Sequence, residues 1–193
     1  MTSQTPPVPP TGTFIGGQSV DLSWRLGQAL ASAERLFGSR DPFWTVLGVE
    51  IGDDNFPHTF FLNTAPNHIR VHLANNVGTE IQACYQIGHE VVHLLNPLRP
   101  PGAHVLEEGL ATWFSMDFSR GINAQYSGLP TLPSYQHALA LVAPVVQNLG
   151  PLKAWRESNP GQGFSNISAN ELCTLYPDLA PEVAAALTEP FNR

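Results

Sequence analysis

The run His89-Glu90-Val91-Val92-His93 brings two imidazoles and one carboxylate together at a spacing that suits metal chemistry. On a helix, four residues span just over one turn, so both imidazoles leave the same face. One Zn²⁺ can bridge them at ~2.0–2.1 Å per Zn–N bond. Glu90 projects beside the metal without filling the same ligand slot. It is therefore placed to take a proton from a water that the metal activates. The chain has seven His and ten Glu. In such a chain the pattern arises by chance at about the one-in-a-hundred level, so its context must support it. That context agrees: a capped helix carries the run, a strand precedes it, and Ile81, Tyr85, Ile87, Val91, Val92 and Leu95 flank it with apolar surface.

A zinc ion that does chemistry needs a third protein ligand and one open position. Glu107 and Glu108 are the candidates, on the next helix. Two antiparallel helices joined by a short loop can bring Glu108 back over His93. The Pro100-Pro101-Gly102 stretch helps the chain reverse. An acidic pair in a first helical turn is also favoured by the helix dipole alone. The dipole does not explain Gly109, which weakens a helix. A glycine there permits close helix–helix approach near a metal.

His89-Glu90-Val91-Val92-His93 together with Glu108-Gly109-Leu110-Ala111 resembles the gluzincin metallopeptidases, the clan of the thermolysin-like enzymes and the M1-type aminopeptidases. The resemblance covers roughly residues 68–120. It implies a zincin-like fold, one zinc per chain, and peptide hydrolysis. It assigns His89, His93 and Glu108 as ligands and Glu90 as general base. In the aminopeptidase branch the third ligand is the Glu of an Asn-Glu-Gly-x-Ala run, so Glu107 takes the Asn position and is the fallback ligand. Fourteen residues lie between His93 and Glu108, fewer than in those larger relatives. The thermolysin-like pattern holds a His ligand with an Asp one turn after the Glu; here that position is Thr112. Support for the histidines must then come from Thr112, Asp117, a backbone carbonyl or elsewhere. The clan adds a Tyr or His to steady the oxyanion. Tyr126, Tyr135, His104 and His137 are the candidates, and Tyr135 is preferred because it begins the next helix and can reach back.

The elements that must position these residues are readable from periodicity. Leu22, Leu26, Ala29, Leu30, Ala33, Leu36 and Phe37 give one buried stripe over a helix at 19–37, stopped by Gly38. Strands are expected at 43–51 and 59–62. Over 68–74, Ile69, Val71 and Leu73 alternate with His68, Arg70 and His72. That predicts a half-buried strand at a sheet edge. There it could pair with extended substrate, as the clan's edge strand does. Thr79 and Gln82 have capping-box spacing and open the helix predicted over 79–95, which stops before Pro97. Further helices are predicted over 105–119, over 134–149 with a kink at Pro144, and over 182–187. Ser168 and Glu171 form a second capping box. The order of a helix, a few strands and then several helices predicts an α+β fold, mostly helical, with a short sheet beside the helix that carries the histidines.

At 193 residues the chain suits one domain, over 13–193, behind a Pro-rich arm at 1–12. A formal net charge of −7 argues against a nucleic-acid partner. No stretch approaches the roughly 18 apolar residues of a membrane span, and no leader is readable, so a cytoplasmic location is the default expectation, with signal-less export left open. Cys84 and Cys173 are too few for a disulfide scaffold and read as structural thiols. The partner expected is a peptide or protein substrate. The same residues would also serve a zinc-holding interaction domain that turns nothing over.

Overall fold

A computed structural model describes residues 13–15, 18–63, 65–98 and 102–192. The arm expected at 1–12 and residues 99–101 of the loop after the His-bearing helix lie outside them. The described chain is α+β: five short strands and seven α-helices, in the order β1 (Thr13–Ile15), β2 (Gln18–Val20), α1 (Leu22–Phe37), β3 (Thr45–Ile51), β4 (His58–Phe61), β5 (His68–Leu73), α2 (Glu80–His93), α3 (Val105–Ile122), α4 (Pro133–Val142), α5 (Gly150–Ser158), α6 (Ala169–Leu175) and α7 (Pro181–Leu187). Among the described residues, no helix is long and apolar enough to cross a membrane.

Helix α1 starts where the Asp21 carboxylate accepts a hydrogen bond from the Trp24 amide at 2.9 Å. Its stripe of Leu22, Leu26, Ala29, Ala33 and Phe37 is buried. The helix ends at Gly38, whose φ of 91° suits a residue without a Cβ. Phe37 then meets Phe114 and Phe164 edge-on, with ring centroids 5.8 and 5.5 Å away. This ties α1 to the later helices.

The three-stranded sheet has the order β3-β5-β4, with β3 parallel and β4 antiparallel to β5. The strand expected at an edge is therefore the central one. Alternation reports that one face is buried and says nothing of lateral neighbours. Ile69, Val71 and Leu73 are fully buried, as their spacing required. On the other face Arg70 donates to Glu50 of β3 at 2.8 Å, and His72 stacks on Phe60 of β4 with centroids 4.5 Å apart. These polar residues are thus engaged across the sheet, and among the described residues the edge strand whose Thr59 meets Glu90 of the histidine-bearing helix is β4. Strand β1 also pairs antiparallel with β2, a pairing that the sequence did not announce.

Helix α2 opens at Thr79, whose hydroxyl accepts from the Gln82 amide at 3.3 Å, while Gln82 reaches back to the Gly78 amide at 2.9 Å. Gly88 lets α3 come close, since a Cβ there would lie 2.9 Å from Ser115 Cα. Gly109 permits a close helix approach as well, here to α4. Its missing Cβ would meet Val142 Cγ1 at 2.5 Å and Ala138 O at 2.7 Å, so it seats α3 on α4 rather than on α2. The helix expected over 134–149 stops at Val142. Pro144 instead opens a 3₁₀ turn at Val145–Gln147, and a separate helix, α5, comes after it.

Candidate metal centre

Helix α2 places His89 and His93 one turn apart, both facing α3. Their Nε2 atoms are 3.4 Å apart. From α3, Glu108 brings Oε2 to 3.2 Å from His89 Nε2 and Oε1 to 3.8 Å from His93 Nε2. Two ligands of a tetrahedral ion with bonds of this length lie roughly 3.3 Å apart. The three groups therefore already stand at ligand–ligand separations, and among the described residues they form the one cluster able to hold a metal ion. His89 and Glu108 are both buried. Burying a carboxylate against two imidazoles costs free energy unless a positive charge accompanies them.

Glu107, the fallback ligand, points elsewhere. Its Oε1 lies 2.8 Å from His93 Nδ1, and its Oε2 accepts from Ser165 Oγ at 2.6 Å and Ser165 N at 3.2 Å. A carboxylate at Nδ1 fixes that nitrogen as the one carrying hydrogen and turns the Nε2 lone pair toward the cluster. The outer support that Thr112 or Asp117 was expected to give His93 thus comes from the residue directly before Glu108. Thr112 is fully buried, with no hydrogen-bond partner for its hydroxyl among the described residues. Asp117 is exposed, on a surface pocket beside Arg25 and Gln28. Electrostatics report the same design. Burial disfavours the imidazolium of His93, but Glu108, the hydrogen bond to Glu107, and Glu90 outweigh it and raise its pKa to about 10. The carboxylates favour a positive charge here, whether a proton or a metal ion.

Glu90 is buried and stands outside the three-ligand set. Its Oε2 accepts from Thr59 Oγ1 of β4 at 3.2 Å. Together with Thr59, Phe61, His93 and Glu108 it lines a cavity of about 380 Å³. A second cavity lies on the His89 side. Tyr135 begins α4 as expected, and its ring sits edge-on to His89 with centroids 5.6 Å apart. Tyr126 lines the same cavity, 6.2 Å from the Tyr85 ring. His137 is exposed. His104 sits at the start of α3, where its amide donates to Ser165 Oγ at 2.9 Å and its segment pairs with Pro190. Of the four candidates for oxyanion support, Tyr135 is the one brought against a histidine of the cluster.

Thr59 and Ser165 were invisible to sequence reasoning. They lie 31 and 58 residues from the carboxylates they serve, and neither belongs to a local pattern. Comparison of the chain with models of protein families, with curated proteins and with solved structures finds no match.

Proposed function

We propose that this chain is a zinc-dependent peptidase of gluzincin type, with a peptide or protein as substrate. The observation that carries the reading is the convergence of His89 Nε2, His93 Nε2 and the Glu108 carboxylate, with Glu90 beside them and outside the ligand set. A His₂Glu donor set suits zinc, which when bound would activate a water and polarise a scissile carbonyl. His89, His93 and Glu108 would hold the ion, and Glu107 would keep His93 in the ligating tautomer. Glu90, steadied by Thr59, takes the proton of the attacking water and returns it to the leaving amine. Tyr135, against His89, supplies a hydroxyl on the side where an oxyanion would develop.

The test is hydrolysis of internally quenched peptides by the zinc-loaded chain, wild type beside Glu90→Gln. The variant is expected to keep its zinc and lose about 10²–10⁴-fold in turnover. A zinc-holding interaction domain would give two proteins alike in zinc content and equally inert on every peptide, and that result would remove the peptidase reading.

A further inference from the structure

The cavity on the His89 side has a volume of about 310 Å³, near the lower end of the ~300–1,000 Å³ range of ligand pockets. Its walls come from three places: Phe56 before β4, Tyr85 one turn before His89 on α2, and the segment from Tyr126 through Leu129 and Leu132 to Tyr135. Among the described residues, no Asp, Glu, Lys or Arg lines it. The cavity on the other side differs, holding Glu90, Glu107 and Glu108. The cluster's ligands are divided between the two, and Pro57 lines both. A chain laid past the metal thus meets an apolar pocket on one side of it and an acidic one on the other.

Exposure singles out the apolar pocket. Eight large apolar residues are exposed among the described residues, and Phe56, Leu129 and Leu132 of this one wall are three of them, at 43%, 67% and 51%. Apolar surface gathered on a concave wall beside a reactive centre marks where a ligand's own apolar surface goes. His89 lines that wall, so the occupant lies against the metal cluster and belongs to the residue being acted on. A charged side chain would be desolvated there with no counter-charge among the described lining residues. A small one would leave the wall wet.

Resting on the peptidase reading, we infer that this cavity is the specificity pocket: it takes a bulky neutral side chain, aromatic or branched aliphatic, from the substrate residue adjoining the scissile bond. Leu132 and Leu129 set that preference, because they are exposed wall residues and neither is itself assigned to the metal or the proton transfer. The full-length zinc-loaded chain is tested on a peptide library, with cut sites read by mass spectrometry. One position adjoining the cut should favour Phe, Tyr, Leu or Met over Ala, Asp and Lys by roughly tenfold or more. Leu132→Glu should lower cleavage after or before Phe roughly tenfold and raise it for Lys and Arg. Leu129→Glu serves the same purpose where the first variant does not fold. Cleavage with no side-chain preference at either adjoining position, or a preference that both variants leave unchanged, overturns the pocket while leaving the peptidase reading intact. Should no peptide be cut, the peptidase reading falls, and calorimetry still decides the pocket. There the zinc-loaded chain should bind a benzyl-bearing amino-acid hydroxamate at least tenfold more tightly than its methyl counterpart; equal affinities overturn the inference.

Discussion

Replacing Glu107 with Gln keeps the side chain's shape and removes its charge, and the contacts around it determine the outcome. The carboxylate accepts from three donors: His93 Nδ1 at 2.8 Å, Ser165 Oγ at 2.6 Å and Ser165 N at 3.2 Å. An amide has one oxygen, so it cannot face both sides as an acceptor. If the oxygen turns to Ser165, the NH₂ faces Nδ1, which must then accept. The hydrogen moves to Nε2, and that nitrogen can no longer ligate. If the oxygen turns to His93, the Ser165 donors confront an NH₂ in a site where Glu107 is only 2% exposed. Either way a hydrogen bond to a charged group is lost, at a cost of about 1.5–3 kcal/mol. Charged entirely to metal binding, that is roughly 10–100-fold in zinc affinity, the range seen when a metal ligand loses its outer partner. Competition against a chromophoric chelator at fixed pH measures it, with Ser165→Ala as a control expected to lose less. Affinity within twofold of wild type would refute the tautomer argument. So would total loss in Glu107→Gln with zinc retained in Glu108→Gln, which would make Glu107 the ligand.

Two other perturbations probe the packing and the charge around the cluster. Gly109→Ala puts a methyl group into the backbone and side chains of α4 and should destabilise the fold by about 1–3 kcal/mol, read from chemical denaturation; an unchanged midpoint would mean that α3 and α4 have room to part. With zinc stripped by a chelator, His93 has a pKa raised to about 10, so its contribution to stability is complete below about 6.5 and is lost as pH rises through about 10. The melting temperature of the stripped chain should therefore fall over that window relative to the zinc-loaded chain, where the ion takes the place of the proton, and parallel profiles would contradict this.

Local signals in the sequence were legible, and long-range ones were not. The α2 helix, its Thr79 cap and the facing of His89 and His93 come from four-residue spacing and one capping residue, and the structure has them. The buried face of β5 was legible for the same reason, through Ile69, Val71 and Leu73. Its place in the sheet was not, because β4 finds β5 through backbone pairing that carries no mark in either strand. Glu107 shows where the boundary falls. Adjacent Glu107 and Glu108 leave α3 about 100° apart, so a single ion cannot take both in the same way. Choosing which one meets His93 Nδ1 and which meets Nε2 needed the helix crossing set by Gly88 and the position of Ser165, 58 residues away. Pro144 ends the helix outright rather than kinking it, since the missing amide and the ring clash with the preceding turn act together.

The most direct test of the central claim is metal content by elemental analysis, on wild type and on His93→Ala and Glu108→Ala. Two nitrogens and a carboxylate already at ligand–ligand distances predict about one zinc per chain in wild type and none retained through gel filtration in either variant. Wild-type protein that takes up no zinc when reconstituted, or that holds it equally well without His93 and Glu108, would contradict the account.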